Sequence, residues 1–167
     1  MKTTVFAVLA AFMLATTACS NTETVTLDSG DIILTAEGPL YDGSNTASAE
    51  WTADLSALNI EAADIQEARV KSITVTTDNP EDMALIQDIT FQFAGKDVSM
   101  QQVGFLNPVP EAASELTLQI ADEQTDIAKF FKLPNMTWVS DVNLNAEKED
   151  NLQLKVRLSF ELEVKSK

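Results

Sequence analysis

Residues 152–164 read Leu-Gln-Leu-Lys-Val-Arg-Leu-Ser-Phe-Glu-Leu-Glu-Val, so that Leu152, Leu154, Val156, Leu158, Phe160, Leu162 and Val164 alternate without a break against polar neighbours. Side chains of a strand point to opposite faces in turn, and an unbroken period of two puts one face in a core and the other in water. A surface helix would instead space its apolar residues three and four apart. Just upstream, Met136, Trp138, Ser140, Val142, Leu144 and Ala146 alternate in the same way. The polar stretch 147–151 joins the two runs, and the expected local structure is a long antiparallel hairpin.

Shorter strand-like runs lie at 25–27, 32–35, 47–53, 70–76, 89–93, 98–100 and 116–120. Turn signals separate them: Ser29-Gly30-Asp31, Gly38-Pro39, Asp42-Gly43, Asp78-Asn79-Pro80, Gly95-Lys96-Asp97 and Asn107-Pro108. Short alternating strands at this spacing predict an all-β fold, an antiparallel two-sheet sandwich. Two stretches break the pattern. Residues 59–68 are rich in the helix formers Ala, Glu and Gln, while residues 125–131 open on Thr125 and put Ile127, Phe130 and Phe131 on one helical face. Both are expected to be short helical crossovers, with Phe130 and Phe131 plugging one end of the core.

The chain has no histidine and one cysteine. That removes Ser-His-Asp and Cys-His machinery and nearly all zinc, copper and non-haem iron sites. With 26 acids in 167 residues, chance carboxylate pairs are inevitable, so proximity in sequence assigns no acid–base pair. No catalytic residue is identified and no enzymatic activity is expected. No cofactor is expected; calcium is the better chemical alternative to a catalytic role, because it takes six to eight oxygens and no nitrogen. Asp78, Asp82, Asp122 and Asp126, in acidic turns with a third such turn at 147–150, are the candidate ligands. None has the spacing of a calcium-binding loop, and the preference of Asp and Asn for turns accounts for them without an ion.

Trp51 falls in line with Ala49, Ala53 and Leu55, and Trp138 with Met136 and Val142, so both are expected in the core; Tyr41, beside Asp42-Gly43, is expected to be exposed. Residues 103–110 read as an apolar loop between two strands. Phe105 and Leu106 there either fold back over the end of the core or form a loop that docks a partner.

Cys19 closes the run Leu14-Ala15-Thr16-Thr17-Ala18-Cys19, behind a basic Lys2 and an uncharged apolar stretch at 5–15. This is the layout of a secretory signal peptide, and its apolar run is too short for a spanning helix, which needs about 20 residues. It resembles the bacterial lipoprotein signal, which implies cleavage before Cys19 and acylation of its sulfur and new amino terminus. The chain then divides into a signal peptide at 1–18, a lipidated cysteine and tether at 19–23, and a single domain at 24–167. Several acyl chains together hold a protein on a bilayer stably. Ser20, where an Asp would resemble an inner-membrane retention signal, points to the outer membrane and its periplasmic face, with surface exposure the alternative. The layout over residues 24–165 is similar to that of immunoglobulin-like sandwich lipoproteins of Gram-negative bacteria, through an Ile-rich first hairpin, the Val70-Lys71-Ser72-Ile73 strand, the Leu133-Pro134 loop and the final alternating strand. The resemblance implies a fold and an address, and no activity.

Net charge is −15. A nucleic-acid partner would need a basic face, and Arg69 and Arg157 are the only arginines. The sequence therefore predicts a membrane-anchored, non-catalytic binding or structural module, with an envelope protein as the candidate partner and a calcium-dependent adhesive or glycan-binding domain as the alternative. It leaves the ligand, the sheet order and the oligomeric state open.

Overall fold

A computed structural model describes residues 22–122, 124 and 127–166. Cys19, Thr125 and Asp126 lie outside the described residues. The strands run in chain order as β1 (Thr22–Asp28), β2 (Ile32–Ala36), β3 (Gly43–Trp51), β4 (Ile65–Thr76), β5 (Ile86–Gly95), β6 (Val98–Leu106), β7 (Leu116–Thr117), β8 (Gln119–Ile120), β9 (Met136–Leu144) and β10 (Leu152–Lys165). Two short helices interrupt them, α1 (Pro80–Leu85) and α2 (Ala128–Phe131). All pairings are antiparallel, and they join the strands into one ten-stranded sheet in the order β7-β4-β10-β2-β3-β9-β5-β6-β8, with β1 added on β10.

β10 organises this sheet. Its inward residues Val156, Leu158 and Phe160 are fully buried, whereas Arg157 is exposed. One edge of β10 pairs with β4 from one end of β4 to the other, Lys155↔Thr76 to Val164↔Ile65. The other edge is shared end to end by β1, at Leu27↔Phe160, and β2, at Leu34↔Leu154. β1 and β2 are thus two halves of one line and do not form a first hairpin. The jog between them is held by Ser29: its N–H donates to Leu158 O and its hydroxyl accepts from Leu158 N, both at 2.9 Å. Gly30 takes φ +69° there, where a side chain would be strained.

The expected hairpin between the last two strands is not formed. β9 is paired on one edge with β3 (Ala47↔Ser140) and on the other with β5 (Phe91↔Ser140), so no edge is left for β10. Residues 145–151 instead cross beside residues 37–42, joined by Leu40 N to Lys148 O at 2.7 Å and Lys148 N to Leu40 O at 3.1 Å. A link of this length spans a step between strands far apart in the sheet as readily as a reversal. Gly38 allows the close crossing, because a Cβ there would sit 2.8 Å from the backbone carbon of Asp150.

At the far ends of the path, β7 and β8 are separated only by Leu118. Leu116 pairs with Val75 of β4, and Leu118 N donates to Ile73 O at 3.0 Å; Ile120 pairs with Gly104 of β6, and Ala121 N donates to Val103 O at 3.0 Å. The sheet therefore nearly closes on itself. Inside it, Trp138 lies 4.9 Å from Trp51 and 5.8 Å from Phe91 between ring centroids, and Phe160 lies 5.2 Å from Phe131. Trp51 and Trp138 are buried and Tyr41 is 66% exposed. α2 carries Phe130 and Phe131 into this cluster, as the 125–131 stretch predicts.

Residues 59–68 do not form the expected helix. Short 3₁₀ turns occupy Ser56–Leu58 and Ala62–Asp64, and β4 begins at Ile65. Ile65, Ala68 and Val70 are buried along β10, and that packing outweighs the few tenths of a kcal/mol per residue by which Ala, Glu and Gln favour a helix.

Candidate functional site

A cavity with largely apolar walls lies where α1 meets the chain leaving β6. Asn79 starts the helix, its side-chain oxygen accepting from Glu81 N at 3.1 Å, with Pro80 in the first turn. Met83, 2% exposed, anchors the helix on the core. Facing it, residues 107–114 carry Pro108, Val109 and Pro110. Val109 N donates to Gln87 O at 2.8 Å and ties that segment to the start of β5. Asn145, just past β9, closes the floor: its N donates to Leu85 O at 2.9 Å and its side-chain amide to Ala84 O at 3.0 Å.

The cavity between these walls has a volume of about 800 Å³. Pro80, Met83 and Ile86 line one side, and Pro108, Val109 and Pro110 the other. Apolar walls with a few fixed polar groups, at this volume, are the usual makeup of a small-ligand site. The half-buried Asp88 accepts from the Asn143 side-chain amide at 2.8 Å. Among the described residues, that is the one hydrogen bond its carboxylate makes.

The acidic turns fall elsewhere. Asp78 and Asp82 come together with Glu149 and Asp150 around a hollow of about 490 Å³, so two of the three turns meet at one end of the sheet. Lysines reach both aspartates: Lys148 Nζ is 2.9 Å from Asp82 and Lys155 Nζ is 2.8 Å from Asp78. The hydrogen bond and charge of Asp78 hold the Lys155 ammonium above the ordinary lysine pKa. Asp122 is exposed in a separate hollow beside Arg69 and Lys71. Among the described residues no group of three or more Asp, Glu, His or Cys is arranged to hold a metal ion.

Phe105 and Leu106 lie in the last two positions of β6 and not in a loop. Leu106 sits opposite Ile89 and packs on the core, while Phe105 sits opposite Thr90 and Gln119, half-buried. The reason is a bulge: Phe91 pairs with Gly104 and Gln92 with Gln102, so Val103 is an extra residue and the alternation slips by one. Gly104 keeps the strand close to β4, since a Cβ there would run into the end of the Ile73 side chain. The cavity itself is not singled out by the sequence. Its one local signal is the Asn79-Pro80-Glu81-Asp82 helix start, which marks a wall and not the space beside it.

No family model and no curated protein matches the chain. Among solved structures, it is similar to a chain from Desmodium yellow mottle tymovirus at 9% identity and a TM-score of 0.32, over 100% of this chain and 97% of that one. So loose a superposition has no bearing on fold or function. Among the described residues, no helix is long and apolar enough to cross a membrane.

Proposed function

We propose that the protein is a lipid-anchored, non-catalytic binding module of the bacterial cell envelope, held by acyl chains on Cys19 and taking its ligand in the cavity between α1 and residues 107–114. The observation that carries this reading is the position of Cys19. It closes a short apolar leader and stands three residues ahead of Thr22, where β1 begins. After cleavage, only Ser20 and Asn21 would separate the acylated residue from a strand paired along β10. At about 3.3 Å per residue such a tether spans roughly 10 Å, which keeps the domain at the lipid headgroups. Ser20 favours the outer membrane and its periplasmic face.

In this reading the sheet is folded into the two layers of an immunoglobulin-like sandwich, β1, β2, β10, β4 and β7 in one and β3, β9, β5, β6 and β8 in the other. The single pair Thr35↔Ser48 between β2 and β3, against nine pairs between β3 and β9, supports a corner at that point. The absence of histidine from the sequence supports a role in binding without catalysis. The test is metabolic labelling with a radiolabelled fatty acid. The wild-type chain is expected to take up label and to sediment with membranes, and Cys19→Ala to take up none; label retained by Cys19→Ala would sink the anchor.

A further inference from the structure

We infer that the cavity beside α1 is selective for a small organic cation, a protonated amine or quaternary ammonium on an apolar body. The inference rests on the reading of that cavity as the ligand site and adds the chemistry of the ligand. Its lining carries two carboxylates, Asp88 and Glu111, and no lysine or arginine. Some carboxylates of the outer face are matched by bases, Asp31 by Arg157, Asp78 by Lys155, Asp82 by Lys148 and Glu161 by Lys71, while the half-buried Asp141 is held by two neutral donors, Thr46 and Gln92. Asp88 has no such match among the described residues, although it is half-buried and its carboxylate has acceptor sites beyond the one used by Asn143.

A carboxylate partly removed from water gains most from a cation that replaces its lost hydration. The walls set the other half of the specificity. Pro80, Met83, Ile86, Pro108, Val109 and Pro110 offer apolar surface to a hydrocarbon body. The prolines have fixed φ, and the bonds from Val109 N and Asn145 hold both walls, so little order has to be created on binding. An anion of the same shape would meet two carboxylates and no counter-charge.

Three isosteric probes test this with the chain as isolated from expressing cells, at about 0.15 M salt, where charges beyond about 8 Å are screened. The probes are 2-phenylethylammonium, 2-phenylethanol and phenylacetate, followed by amide chemical shifts at Ala84, Asp88 and Asn145. The ammonium is expected to bind at least tenfold more tightly than the alcohol, and phenylacetate not at all. Asp88→Asn, which keeps the side chain's shape, should erase the preference, while Asp97→Asn, beyond the other end of β5, should leave it unchanged. Equal binding of the ammonium and the alcohol would overturn the cation selectivity and leave the cavity standing as a site. Shifts absent with all three probes would overturn the cavity as well. An equal loss in Asp97→Asn would overturn the role of Asp88, because the preference would then belong to net charge. None of these outcomes depends on Cys19, which the fatty-acid label tests separately.

Discussion

Phe160 packs against four other rings, with centroids at 5.2 Å to Phe131, 5.7 Å to Trp51, 6.0 Å to Phe93 and 6.5 Å to Trp138. Truncating a buried Phe to Ala typically costs about 3–5 kcal/mol, a large part of the roughly 5–15 kcal/mol that holds a domain together. Phe160→Ala is therefore expected to lower the urea midpoint sharply, whereas Ser159→Ala should stay within about 0.5 kcal/mol. Small, equal losses across residues 156–160 in an alanine scan would contradict the burial of that face. Ser140 gives the opposite expectation. Its hydroxyl is fully buried on the inward face of β9 and has no hydrogen-bond partner among the described residues. A buried hydroxyl without a partner is destabilising by about 1–3 kcal/mol, so Ser140→Ala should be neutral or stabilising in the same titration. A clear loss would mean that the hydroxyl is bonded after all. For Lys155 the measurement is an NMR titration of its side chain. Its folded pKa is raised by Asp78, so the contribution is complete below the ordinary lysine pKa and is lost as pH rises through the raised value. Asp78→Asn should shift the titration of Lys155 downward, since Asp78 supplies the largest causes of the rise.

The helix α1 and the acidic hollow beside it make separable predictions. Asn79→Ala removes the side-chain cap on Glu81 N and is expected to cost about 1 kcal/mol by denaturant unfolding. Millimolar calcium is expected to raise the melting temperature no more than sodium at equal ionic strength, because Lys148 and Lys155 already supply positive charge to Asp82 and Asp78. A calcium-specific rise of several degrees, abolished by Asp82→Asn, would restore the calcium reading, since a ligand present at one hundred times its Kd adds about 2.7 kcal/mol. The elements themselves were unevenly legible. Residues 136–144 and 152–165 read as strands because their period of two is unbroken; who pairs with whom was hidden, because any strand with one apolar face can pair with several others. The helix at Pro80–Leu85 carries a readable start in Asn79-Pro80-Glu81-Asp82, yet the same residues also spell a turn. At Val103 the bulge shifted the alternation and made the end of β6 read as a loop.

Across the whole molecule, the cavity illustrates the same limit. Its walls come from residues 80–88, 107–114 and 145, which only the completed sheet brings together. The sequence marks turns at Asp78-Asn79-Pro80 and Asn107-Pro108, places Asn145 in a strand-like run, and gives no hint that these segments share a space. The aromatic core was readable in advance, since Trp51, Trp138 and Phe160 each fall in line with apolar neighbours of their own strand. β1 pairs with β10 alone, from Thr22↔Lys165 to Asp28↔Ser159, so the first strand of the domain is completed by the last. Such long-range pairing makes folding slow, in the range of milliseconds to seconds for all-β domains. Removing residues 159–167 is expected to leave a chain without cooperative unfolding or near-ultraviolet circular dichroism from its buried tryptophans; a native-like spectrum would contradict the pairing. There is also an order of events built into this arrangement. A chain that emerges N-terminus first, whether from a ribosome or a translocation channel, presents β1 at the start and must hold it unpaired until the final residues arrive. Throughout that interval its edge is open to chaperones, proteases and other chains, and a protein tethered near Thr22 would wait out that interval at the membrane.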